Sequence, residues 1–202
     1  MKKLTVIAFV LFLGIQSSQA QVRVSPGLRG GLNLSTLTNI DDNRSKADFY
    51  VGGLVNIKFN KYFSLQPELT YSRQGDEGRE YFGNGYNNYR SIKYELNYLT
   101  LGAVAKFNIG GKAFHILGGP SVDFKISDNY INSNPESFDL AIVGGVGYTL
   151  PNGLTFEARL KQGLVDIYGY DGVEYDDNGY RYNDLILNQV FQIGISYTFK
   201  VK

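Results

Sequence analysis

The stretch Leu185-Ile186-Leu187-Asn188-Gln189-Val190-Phe191-Gln192-Ile193-Gly194-Ile195-Ser196-Tyr197-Thr198-Phe199 reads as two interleaved sets of residues. Leu185, Leu187, Phe191, Ile193, Ile195, Tyr197 and Phe199 make seven of the eight odd-numbered positions apolar, with Gln189 the exception, whereas only Ile186 and Val190 are apolar among the seven even ones. Successive side chains of a strand point to opposite faces, so this alternation predicts a strand with one face in an apolar medium and the other against polar groups. A slip of one residue would put the polar set on the apolar side, which fixes the register.

The same period of two recurs eight times. The other strands are predicted at 27–35, 49–59, 62–73, 95–109, 113–126, 138–150 and 154–168. Connectors alternate in length. Asn60-Lys61, Gly110-Gly111-Lys112 and Pro151-Asn152-Gly153 suit tight hairpins, while 36–48, 74–94, 127–137 and 169–184 are long and polar. Three strands also carry a ruler, with aromatics ten residues apart at Phe49 and Phe59, Phe114 and Phe124, and Phe138 and Tyr148. Ten steps of about 3.3 Å, tilted by about 40°, climb about 25 Å, the height of the apolar band of a transmembrane barrel between its aromatic girdles.

These features predict an all-β fold: an eight-stranded antiparallel up-and-down transmembrane β-barrel with short periplasmic turns and long extracellular loops. A soluble barrel of lipocalin type is the competing architecture, and it requires the opposite polarity, apolar inside and polar outside. The apolar set here has its aromatics at strand ends and Val51, Gly53, Val55 and Ile57 between them, as a lipid-facing band requires. The other set is Arg29, Asn33, Asn56, Lys58, Gln66, Glu68, Lys106, His115, Glu157, Arg159 and Lys161, and it is assigned to the lumen.

Residues 1–20 form a separate unit. Lys2 and Lys3 precede a largely apolar run from Leu4 to Ile15, and Ser18-Gln19-Ala20 follows with small residues where a signal peptidase reads. The expectation is a signal peptide at 1–20 and one outer membrane barrel domain at 21–202. Without Lys2 and Lys3 the chain has 18 basic against 19 acidic residues, so nothing steers it to nucleic acid. The absence of cysteine excludes disulfides, thiolate metal sites and a lipid-modified N-terminus. No cofactor is expected.

Several segments resemble the PorT-like outer-membrane β-barrel family. Phe63-Ser64-Leu65-Gln66-Pro67-Glu68-Leu69-Thr70-Tyr71-Ser72 looks like its third strand, Gly27-Leu28-Arg29-Gly30-Gly31-Leu32-Asn33-Leu34-Ser35 its first, and Leu117-Gly118-Gly119-Pro120 its fifth. The resemblance implies the fold and an outer membrane location.

Candidate chemistry is sparse. Arg29, Glu68, Lys106, Glu157 and Arg159 are expected to meet in the lumen as a structural charge network, since eight strands enclose little more than room for side chains; a narrow ion or proton path is the functional alternative. His115, the sole histidine, falls three residues after the short turn at 110–112, the wrong end for an outer-leaflet hydrolase. Tyr81, Phe82, Tyr86 and Tyr89 in the second long loop are a possible binding surface, because rigid aromatics among small polar residues make adaptable contacts. Asp171, Glu174, Asp176 and Asp177 in the fourth could add to it, and their spacing does not match a calcium-binding EF-hand loop. The leading expectation is therefore a non-enzymatic scaffold, partnered by outer membrane lipid and by an unknown extracellular or envelope protein. A small-solute or proton channel and an outer-leaflet hydrolase are the alternatives.

Overall fold

The computed structural model describes residues 22–39, 44–81, 89–129, 135–167, 174–175, 181–182 and 185–200, with only the backbone described at 78–81, 89–92, 174–175 and 181–182. The barrel strands are β1 (Arg23–Leu37), β2 (Arg44–Lys58), β3 (Phe63–Tyr81), β4 (Tyr89–Asn108), β5 (Phe114–Asp128), β6 (Phe138–Thr149), β7 (Leu154–Gly163) and β10 (Asn188–Thr198). Between the last two lies a short pair, β8 (Glu174–Tyr175) and β9 (Arg181–Tyr182). Each barrel strand pairs antiparallel with its neighbours, and β1 closes on β10 from Gly27 opposite Thr198 to Leu37 opposite Asn188. Closure leaves no unpaired edge in the apolar phase, where an unmet N–H or C=O would be costly.

The three short turns lie at one end, each with its own chemistry. Asn60 Oδ1 accepts the N–H groups of Tyr62 and Phe63, both at 2.8 Å. Gly110 (φ 64°) and Gly111 (φ 67°) adopt the left-handed region that glycine tolerates best. Asn152 Oδ1 accepts the Leu154 N–H at 3.1 Å next to Gly153 at φ 97°.

The ladder turns the aromatic ruler into rings. Phe114 stands opposite Tyr148 at the short-turn end and Phe124 opposite Phe138 at the long-loop end, all on the outer face. Phe59 stacks on Phe63 with centroids 5.6 Å apart in the first ring, and Phe49 meets Tyr71 at 6.0 Å in the second. Between the rings the outer face carries Leu28, Leu32, Val51, Leu69, Leu101, Ile116, Ile142 and Ile193, all exposed. Arg29, Glu68, Lys106, Glu157 and Arg159 are all buried inside. This polarity is the reverse of a soluble barrel's.

The seam between β1 and β10 has a particular construction. Gly31 faces Gly194 across it, and Tyr50 of β2 stands opposite Gly31 on the other side. The Tyr50 hydroxyl reaches over Gly194, where an added Cβ would come within 2.0 Å of it and 2.5 Å of the Gly30 carbonyl oxygen. An aromatic thus covers two facing glycines, supplying the packing that they lack.

Several expected boundaries need correction, beginning with β1, which starts at Arg23, and β2, which starts at Arg44 inside the connector expected at 36–48. Within the segment 74–94 expected as a loop, 74–81 and 89–94 belong to β3 and β4, which stay in unbroken register from Phe63 opposite Phe107 to Tyr81 opposite Tyr89. The alternation stops near Arg73 because above the aromatic ring both faces meet polar surroundings, while the hydrogen-bond ladder needs no such pattern. On either side of the last long connector, β7 ends at Gly163 and β10 begins at Asn188. The Asp139 carboxylate accepts the N–H groups of Leu164 and Val165 at 3.3 and 3.1 Å, drawing the chain off the wall after β7. Ile167 then bonds by its N–H to the Ile186 carbonyl at 2.9 Å, over the lumen.

Candidate functional site in the barrel interior

The lumen is built in layers. At the short-turn end is a polar cavity of about 220 Å³, lined by Arg23, Ser25, Lys58, Lys106, His115 and a set of further amides and hydroxyls. Above it the five charged residues assigned to the lumen come together. Glu68 accepts two parallel bonds from Arg159, at 2.9 and 2.7 Å, a third from Arg29 and a fourth from Gln66 Nε2 at 2.6 Å. Glu157 takes Arg159 on one oxygen at 2.7 Å and Lys106 on the other at 2.5 Å. Arg29 also lies over the Tyr50 ring, 4.7 Å from its centroid.

Strand alternation explains the convergence. Arg29, Glu68, Lys106, Glu157 and Arg159 occupy inward positions on four strands, and a bidentate Arg–carboxylate fork is the geometry that satisfies both groups away from water. Small residues make space for it: at Gly145, an added Cβ would sit 3.1 Å from Arg159 Cγ. One wall beside this network is apolar, formed by buried Val104, Leu117 and Val143.

A second polar layer lies nearer the long loops. Lys161 pairs with Asp123, which also accepts from Thr100 Oγ1 at 2.6 Å. Gln74, Ser72, Asn33 and Gln192 continue it as a chain of hydrogen bonds, 2.9, 2.9 and 2.8 Å in turn. Asp123 and Asp139 are not among the lumen charges expected from the alternation. They sit next to Phe124 and Phe138, on the alternate face of the very strands whose aromatics served as rulers.

Over this layer Leu37, Leu96, Tyr98 and Ile167 form a fully buried apolar cluster with Ile186 packed against it. Of the two apolar residues expected at inward positions of the last strand, Ile186 belongs to this cap, and Val190 is fully buried. Outside the cap, Lys46, Asp48, Arg73 and Glu95 form a collar of ion pairs, with Arg73 to Glu95 at 2.7 Å and Lys46 to Asp48 at 2.6 Å.

Asp76, on β3 five residues beyond Tyr71, is buried above the membrane-spanning part of the strand. Desolvation pushes its carboxyl up to about 6, and the neighbouring Glu77 charge adds to the rise. A folded-state value above the unfolded one means that the neutral acid stabilises this segment below about pH 4, and that the contribution is lost as pH rises through about 6. Asp76→Asn is expected to abolish this pH dependence and to gain on the order of 1–2 kcal/mol of local stability at pH 8. Amide exchange of β3 and β4 at pH 5 and 8 measures it, and an identical pH response in the variant would refute the assignment.

The loop candidates fare differently. Tyr81 and Tyr89 face each other as the last backbone pair of β3 and β4. Glu174 is in β8, opposite Tyr182. Phe82, Tyr86, Asp171, Asp176 and Asp177 lie outside the described residues. His115 is fully buried beside the cavity, with Nδ1 3.4 Å from the Ala113 carbonyl oxygen and Nε2 3.7 Å from Glu157.

Residues 16–169 match the outer membrane protein beta-barrel domain family, about three quarters of the chain. The chain belongs to this family. The matched segment of this outer membrane barrel protein stops short of β10, the strand that closes the ring. No curated protein matches the sequence. Among solved structures, Neisserial surface protein A is similar, with a TM-score of 0.54 at 12% identity over 88% of this chain and 99% of that one. Ail of Yersinia pestis, crystallised with the heparin analogue sucrose octasulfate, scores 0.48 at 14% identity, covering 88% and 99%. OprG of Pseudomonas aeruginosa scores 0.46 at 13% identity, covering 91% and 99%. The first of these likenesses speaks for the fold alone.

Proposed function

We propose that this outer membrane barrel is a non-enzymatic scaffold that displays its long-loop end outside the cell, with its short turns in the periplasm and residues 1–20 as its export signal. The observation that carries this reading is the β3–β4 ribbon, which runs ten residues past Tyr71 to Tyr81 and lifts its tip clear of the outer aromatic ring. A stiff paired ribbon presents a contact surface at a lower ordering cost than a free loop. The binding surface would comprise Tyr81, Phe82, Tyr86 and Tyr89, and Asp171, Glu174, Asp176 and Asp177 could add to it. Its partner would be an extracellular or envelope protein, with membrane lipid around the wall. The PorT-like resemblance of β1, β3 and β5 is in keeping with this placement.

The lumen speaks against the channel alternative. The five-residue charge network and the Leu37, Leu96, Tyr98 and Ile167 cap are stacked across it. Purified protein with intact loops is expected to give no steady conductance steps in planar bilayers, and stable single-channel steps would overturn the scaffold reading. His115, remote from the loop end, gives no support to an outer-leaflet hydrolase. The display reading is tested by protease access on whole cells. Cleavage within 82–88, with the barrel retained as a heat-shifted band, is expected; protection in intact cells together with cleavage after outer membrane rupture would reverse the orientation.

A further inference from the structure

The short-turn cavity has a charge pattern that the loop-display reading leaves unused. Its lining includes Arg23, Lys58, Lys106 and His115 with no carboxylate, the rest being serines, threonines, asparagines and Gln66. Arg23 and Lys58 are directly opposite each other on β1 and β2, an arrangement of like charges that destabilises a sheet unless an anion lies between. At the inner end, Lys106 is buried, and the network behind it sets three cations, Arg29, Lys106 and Arg159, against only two carboxylates, Glu68 and Glu157. His115 is 1% exposed, and its Nε2 lies 3.7 Å from Glu157, within ion-pair range if the ring is protonated but too long for a hydrogen bond, so this donor position is left without a hydrogen-bond partner. The ring is held against Gly147, where an added Cβ would come within 2.5 Å of Nε2.

We propose that this cavity binds a small oxyanion of the phosphate class, with Lys106 and His115 at its inner end, Arg23 and Lys58 at its rim, and hydroxyls such as Ser64, Thr149 and Thr155 as further donors. Ion pairing to oxyanions is strongest where donors converge out of water, and hydroxyl and amide groups fill the remaining acceptor sites on such an ion. The cavity is separated from the long-loop end by the charge network and the apolar cap, so the site opens only toward the short turns. It is independent of what the loops bind.

Because His115 is the sole histidine, its ring gives a single reporter signal in the full-length mature barrel. In a maltoside micelle free of phosphate, inorganic phosphate is expected to shift that signal saturably, whereas chloride at matched ionic strength does not. Arg23→Gln with Lys58→Gln, at exposed rim positions, is expected to weaken binding about tenfold while the barrel keeps its heat-shifted mobility. Lys106→Met is expected to abolish the response, and the rim double variant carries the test if that buried substitution prevents folding. A response to phosphatidylglycerol in the micelle without free phosphate would support the site and assign the oxyanion to a lipid headgroup. An unsaturable response, an equal response to chloride, or unchanged affinity in a folded rim variant would overturn the proposal.

Discussion

Replacing Glu68 with alanine is expected to destabilise the barrel by about 3–5 kcal/mol, because it strands the Arg29 guanidinium away from water and leaves Arg159 with Glu157 alone. Glu68 is the hub: it accepts four hydrogen bonds, and Gln66 would lose a partner with it. The measurement is the denaturant midpoint of the barrel refolded in vesicles, read together with its heat-shifted gel band. A folded variant with an unchanged midpoint would show that water fills the gap and that the network contributes little. Arg29→Met, Glu68→Leu and Arg159→Met together are expected to regain most of the loss. Well-packed apolar replacements avoid the desolvation of the ions, and Glu157 keeps Lys106 as its partner at 2.5 Å. The contrast between the single and triple variants separates the cost of an unpaired buried charge from the worth of the network.

The second large effect is on the outer wall. Ile142 is 57% exposed and stands opposite Pro120, about midway between the Phe114–Tyr148 and Phe124–Phe138 rings. Arginine there is expected to cost about 2–4 kcal/mol, whereas arginine at Ile109, exposed beside the short turn, is expected to cost about 0–1 kcal/mol. Equilibrium unfolding from vesicles distinguishes them. Equal costs at both positions would mean that the apolar belt is not centred between the aromatic rings.

Most of the barrel was legible because lipid imposes one rule on every strand it touches. Wherever Phe, Ile and Leu alternate with Gly, Ser and Gln, as at 188–198, the predicted wall is the observed wall. The rule lapses outside the bilayer. Asp76 and Tyr94 belong to a ladder just as regular, yet no period marks it, and β3 and β4 were cut short for that reason. The five network residues were legible as inward charges, but their pairing was not: which carboxylate meets which guanidinium depends on the stagger between strands, and the sequence carries no direct sign of it. The apolar cap was hidden for a different reason. Leu96 and Tyr98 are apolar at inward positions, against the alternation, and only the chain turning back at Ile167 and Ile186 gives them something to cover.

The glycine seam has a bearing on how the barrel assembles. Every other strand pair joins neighbours along the chain through one intervening segment, but β1 must find β10 across nearly the whole sequence. Bringing such distant segments together pays its loop-closure entropy before any contact rewards it, which makes this the slow step. At Gly31 and Gly194 the two backbones meet with no side chains between them, and the Tyr50 hydroxyl lies over that joint. The seam thus works as a latch: where β1 and β10 meet glycine to glycine, a single tyrosine on β2 holds the joint.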